Sequence, residues 1–98
     1  MQVQTNSSGT YIITIPVRFT FKEHKIFHSI YCNNKKHSKY ILDMKNVTYI
    51  DSSALGMIQL LGDHESVAKR QDLKIINTSK NVKKMLHIFQ FDKLYTIT

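Results

Sequence analysis

The sequence predicts an α/β fold, a mixed β-sheet of about four to five strands with helices packed against it. Three observations carry this expectation. Short β-branched runs alternate with segments whose apolar residues recur at helical spacing, in the order β-β-α-β-α-β-α. Punctuation is sparse, with 3 glycines and 1 proline, and no repeat, linker or low-complexity segment divides the chain. The 98 residues fit one domain, residues 1–98, and an apolar content of 42% suffices for one core without staples.

Asn6-Ser7-Ser8-Gly9 is a turn signal. Tyr11-Ile12-Ile13-Thr14-Ile15 follows as a strand, with Val3 in a short partner strand before the turn and Pro16 ending regular pairing. Thr20 and Glu23 have capping-box spacing, and Ile26, Phe27, Ile30 and Tyr31 recur at helical spacing, so a helix is expected from about Phe21 to Cys32. Asn33-Asn34-Lys35-Lys36 closes it.

Tyr40-Ile41-Leu42-Asp43-Met44 reads as a second strand, Lys45-Asn46 as a turn, and Val47-Thr48-Tyr49-Ile50 as an extended lead-in. The longest helical pattern runs from Ser52 to about Arg70. At roughly 100° per residue, Ala54, Met57, Leu61, His64 and Ala68 share one face, flanked by Ile58, Leu60 and Val67. Gln59, Asp63, Ser66 and Arg70 fall opposite. Leu73-Lys74-Ile75-Ile76 is a further strand. Thr78 or Ser79 caps a final helix with Val82, Met85, Leu86 and Phe89 on its apolar side, and Leu94-Tyr95-Thr96-Ile97 reads as a last short strand or tail.

Composition narrows the function. A single cysteine, Cys32, rules out an internal disulfide framework and fits a reducing, cytoplasmic setting. Neither a signal peptide nor the roughly 18-residue apolar run of a membrane span is visible. The net charge of +7 is compatible with nucleic acid, an anionic membrane or an acidic protein. The basic residues are scattered, and base-stacking aromatics do not interleave with them, so no direct nucleic-acid partner is expected. No Gly-rich phosphate loop and no catalytic constellation stand out, and the chain is expected not to be an enzyme. His24 and His28 have a metal-compatible spacing without a third ligand, so no metal site and no cofactor are expected.

The informative segment is Tyr40 to Leu61. A strand ends in Asp43, a short lead-in follows, and Asp51-Ser52-Ser53 opens a helix. Helix capping accounts for Asp and Ser there, because their oxygens accept free N–H groups of the first turn. The run Ile41-Leu42-Asp43, Val47-Thr48-Tyr49-Ile50, Asp51-Ser52-Ser53-Ala54-Leu55-Gly56 also resembles the STAS domain family, in particular its bacterial anti-sigma factor antagonists. The stretch from Asn77 to Leu86 is similar to the family's last strand–helix unit. Two positions depart from the pattern. Ala54 stands where the family commonly has Gly, and Thr20 stands where an acidic residue often lies before the first helix.

The resemblance implies a STAS-like fold and a partner switch. The unphosphorylated antagonist binds an anti-sigma factor, which is a serine kinase. Phosphorylation of the first Ser after the Asp, here Ser52 with Ser53 as the fallback acceptor, releases it, and a PP2C-type phosphatase reverses the change. Asp51, Ser52, Ser53, Ala54, Leu55 and Gly56 are then the expected partner-binding residues. The alternative is a STAS subunit of a transporter or sensory complex without a phosphorylation switch. Leu55 falls roughly 150° from the helical face centred near Leu61 and Ala68, so it is expected to anchor a partner rather than the core.

Overall fold

The computed structural model describes residues 1–98. Its main sheet is built from β1 (Gln2–Thr5), β2 (Tyr11–Thr14), β4 (Tyr40–Asp43), β6 (Leu73–Ile76) and β7 (Thr96–Ile97), in the spatial order β1-β2-β4-β6-β7. β1 pairs antiparallel with β2 and every other pairing is parallel. Three helices, α1 (His24–Tyr31), α2 (Ser52–Gly62) and α3 (Lys80–Ile88), follow β2, β4 and β6 respectively. This is the mixed sheet with packed helices that the alternation of periods implies.

Register explains the core. Ile13, Leu42 and Ile75 stand side by side across β2, β4 and β6, and all three are fully buried. Ala54, Ile58 and Leu61 from α2 and Phe27 and Tyr31 from α1 join them in one cluster of 22 buried residues. The α3 helix contributes Val82 and Leu86, but Phe89 is half-exposed because the helix stops before it.

A polar seam crosses this core. Tyr40 is wholly buried, and its hydroxyl lies 2.8 Å from Ser66 Oγ while accepting from Asn34 Nδ2 at 2.8 Å. Ser66 N–H donates to His64 Nδ1 at 3.1 Å, which makes that nitrogen the acceptor and puts the ring proton on Nε2. Each of these groups has a partner, so the seam costs little desolvation and fixes the chain around residues 64–66.

That seam corrects the longest helix. The expected span to Arg70 ends at Gly62, and Ser66, expected on the solvent side, is buried. His64 takes the Ser66 N–H that a continuing helix would have paired with its own backbone. Of two further elements, one falls in the extended lead-in expected at Val47 to Ile50 and the other, Arg18–Phe19, has no sequence signature. β3 (Arg18–Phe19) and β5 (Tyr49–Ile50) form a separate parallel ribbon of two residues each. Such strands are too short to show a period. The first helix begins as a 3-10 turn at Phe21–Glu23 and becomes α-helical at His24.

Candidate functional site

The site lies where the parallel strands end and their helices begin, the usual location of ligand and partner surfaces in parallel α/β sheets. Two anchors position it. At the end of β4, the largely buried Asp43 carboxylate accepts from Lys45 N–H and from Asn77 Nδ2, both at 3.0 Å through Oδ1. Asn77 has a φ of 56°, a left-handed conformation that Asn tolerates better than most residues, and its side chain ties β6 to β4 there. The second anchor is the small ribbon. Val17 O accepts from Thr48 N–H at 2.9 Å and Tyr49 N–H at 3.2 Å, and Asp51 N–H donates to Phe19 O at 3.3 Å. The Arg18 guanidinium sits 4.4 Å over the Tyr49 ring, closing the ribbon's outer side.

Asp51 is the N-cap of α2. Its backbone is extended and its Oδ1 accepts from Ala54 N–H at 2.9 Å. Capping is thereby assigned to the aspartate, and neither serine supplies the cap's acceptor. Ser52 and Ser53 are the first two residues of the helix and both are exposed. Thr20, where the family often has an acidic residue, caps the 3-10 turn instead, accepting from Lys22 N–H at 3.3 Å.

The six residues expected to meet a partner divide into two sets. Ser52, Ser53 and Gly56 are exposed, and Asp51 is half-buried. Ala54 and Leu55 point inward, and Leu55 is only 3% exposed. The expectation that Leu55 is a surface anchor is therefore wrong. Its physical source is the helix length. The expected face is centred near Leu61 and Ala68 and includes His64, and both His64 and Ala68 lie beyond the end of α2. The buried positions Ala54, Leu55, Met57, Ile58, Leu61 and Gly62 cover an arc of about 160°, and Leu55 lies at one edge of it.

The exposed leucine of α2 is Leu60, which sequence reasoning placed on the flank of the core face. With Met57, Ser53 and Gly56 it lines a groove of about 680 Å³ between α1 and α2. Phe21, His24 and Lys25 line the same groove from the α1 side. His24 is held in place, its Nδ1 2.7 Å from Phe21 O and its ring stacked on Phe21 at 4.1 Å. No third His, Cys, Asp or Glu joins His24 and His28. Phe21 also borders a second, more polar cleft lined by Arg18, Thr20, Lys22, Glu23, Tyr49 and Asp51. Sequence reasoning missed both clefts. Their one available signal was an apolar residue, Phe21, directly after a capping threonine.

Two buried phenols have raised pKa values. Burial lifts Tyr31, with smaller contributions from Cys32 and Tyr40. Burial lifts Tyr95 as well, with the Asp63 charge adding to it and Arg70 opposing. Both phenols are core groups. No helix is long and apolar enough to cross a membrane.

A sheet of this order, with a helix following each inner parallel strand, is a small mixed α/β domain, and comparison with known proteins places it. The STAS domain family model matches residues 9–98. The chain belongs to the STAS domain family. It is 39% identical over 87 residues to a STAS-domain containing protein of Pseudomonas aeruginosa, covering 88% of this chain and 85% of that one. It shares the fold of the anti-sigma factor antagonist SpoIIAA in its unphosphorylated form, with a TM-score of 0.65 and 15% identity over 99% of this chain and 86% of the other.

Proposed function

We propose that this STAS domain is an anti-sigma factor antagonist-like switch without catalytic activity of its own. In its unmodified form it binds an anti-sigma factor that is also a serine kinase. Phosphorylation of Ser52 releases it, and a PP2C-type phosphatase restores it. The observation that carries the reading is the division of labour at the start of α2. Asp51 caps the helix, so the neighbouring serine hydroxyls are exposed and free for a kinase.

The chemistry of that position suits a binding switch. A phosphate brings a charge of about −1.5 to −2 and three acceptor oxygens. The N-terminus of a helix tolerates that anion through its free N–H groups and dipole. A partner surface matched to a neutral hydroxyl is repelled instead, and the Asp51 carboxylate next to it reinforces the repulsion. Binding then changes while the fold persists.

The test joins modification to binding. Purified chain is incubated with native cell extract and Mg-ATP, and phosphopeptides are mapped. The wild-type, Ser52→Ala and Ser52→Asp chains are then compared as affinity baits. The expected result is phosphate on Ser52 and one partner held by wild type and Ser52→Ala but lost by Ser52→Asp. Phosphate on Ser53 alone would move the acceptor by one residue. A complex that forms equally with both variants, without phosphate on either serine, would refute the switch and favour a fixed STAS subunit.

A further inference from the structure

Two of the exposed large apolar side chains, Phe21 and Leu60, lie beside Ser53. Phe21 is 58% exposed and Leu60 64%, and they border the α1–α2 groove from its two helices. Phe27, Tyr31 and Met57 are buried and form the floor. A Cβ placed on Gly56 would meet nothing within 4 Å, so the floor is open where that residue lines it. The polar lining is one-signed. It holds Lys25, the imidazoles of His24 and His28 and the Ser53 hydroxyl, with no carboxylate.

We propose that this groove receives an acidic amphipathic helix of the partner protein. The proposal rests on the reading of the Ser52 end as a partner-binding face, and it names the chemistry that face selects. A helix-in-groove contact needs an apolar strip for anchors at i, i+3 or i+4 and i+7, here Phe21, Met57 and Leu60. At about 1.5 Å per residue, α2 spans roughly 16 Å and α1 roughly 12 Å, which matches two to three turns of a bound helix. Charge selects the acidic form. Carboxylates flanking the strip meet Lys25 in a chain of net charge +7. The same charge opposes a second copy of this chain, which would face Lys25 with its own Lys25 across a two-fold axis. Ser53 lines one part of the groove and Ser52 precedes it, so a phosphate there sets negative charge against the incoming acidic helix.

The test uses the unmodified full chain, labelled with 15N, and three probes. One is an acetylated model helix of about 14 residues, built of Leu at helical spacing with Glu elsewhere. The second replaces each Glu with Lys, and the third is laurate. The acidic helix is expected to shift amides in the segments Phe21 to Tyr31 and Ser53 to Leu60 and few others. Leu60→Glu and Lys25→Glu, both at exposed positions, are expected to weaken it by about tenfold or more, the effect of losing a hot-spot contact. Their unchanged amide spectra elsewhere show that the fold is intact. Equal binding of the basic helix overturns the charge argument. Shifts from laurate but not from the acidic helix assign the groove to a lipid anion. Dimerisation of the wild type that Leu60→Glu abolishes assigns it to self-association. No groove shifts with any probe removes the site. Kinase and Ser52 play no part in these readouts, so the groove and the switch can fail separately.

Discussion

The two glycines of α2 are expected to respond oppositely to the same substitution. Replacing Gly with Ala in a helix interior gains about 0.8–1 kcal/mol from restricted unfolded-state freedom and better helix propensity. At Gly56 the added Cβ meets nothing within 4 Å, so that gain is expected in full. At Gly62 the Cβ would lie 2.6 Å from Tyr95 Cζ and 2.7 Å from its Cε1, well inside the roughly 3.5–4.0 Å optimum for carbon contacts. Tyr95 is 4% exposed and packs edge-on against Phe91 with ring centroids 5.6 Å apart, so it has no free direction to retreat. Overpacking of this kind costs about 1–3 kcal/mol, and Gly62, as the last residue of α2, recovers only part of the propensity gain. A net loss of about 1–2 kcal/mol follows. At about 4–8 °C per kcal/mol for a domain of this size, Gly56→Ala should raise Tm by ~4–8 °C and Gly62→Ala should lower it by ~4–16 °C. Thermal unfolding followed by circular dichroism reads both. A Tyr95→Leu background, which shortens the obstructing side chain, should reduce the penalty of Gly62→Ala by about 1 kcal/mol in a double-mutant cycle. Equal stabilisation by the two alanines would refute the packing argument. Gly56→Ala carries a second expectation. It also places a methyl in the α1–α2 groove, so the more stable variant should hold the proposed helix less tightly.

Leu55→Ala is expected to cost about 2–5 kcal/mol in urea unfolding, the range for a buried leucine. A loss below about 1 kcal/mol, together with weakened partner binding, would return Leu55 to the surface. Tyrosine titration supplies an independent measurement. Tyr31 and Tyr95 should lose their phenolic protons at higher pH than an ordinary tyrosine of pKa 10.0, so ultraviolet difference spectra should show late-ionising phenols. The native state holds these protons where the unfolded chain has released them. Stability from this source is therefore complete below pH 10 and falls as pH rises above it through the raised native values. All five tyrosines ionising together while the chain stays folded would contradict the burial of these two.

The sheet was legible because its inner strands carry strong local signals. Tyr11 to Thr14, Tyr40 to Asp43 and Leu73 to Ile76 are short apolar runs bounded by polar segments, and the structure pairs them in one register. The Asp51 cap was legible for the same reason, since capping is a contact over a few residues. What failed depends on distant contacts. The end of α2 is set by Tyr40, which reaches Ser66 from a strand 26 residues earlier. Without that contact the apolar spacing runs on to Arg70, which shifts the centre of the expected face and leaves Leu55 outside it. Leu60 stayed hidden for the complementary reason. Periodicity marks which residues a helix buries as a set, and it does not say which flank a neighbouring helix leaves open.

On the proposed reading, helix α2 serves two demands that would conflict on a single face. Ala54, Ile58 and Leu61 are fully buried, which locks the helix to the sheet. Ser53, Gly56 and Leu60, spaced by three and four residues, form an opposite stripe that the core does not use. Asp51 separates the demands at the helix start. If Ser52 or Ser53 were the cap, its hydroxyl would be engaged by a backbone N–H, and modifying it would remove a contact worth about 0.5–2 kcal/mol. With the carboxylate as the cap, a phosphate on Ser52 need not break the contact that starts the helix. The proposed switch therefore acts on the outward stripe, and the cost of modification falls on the partner rather than on the fold. That arrangement suits a chain of 98 residues, whose margin of stability is small.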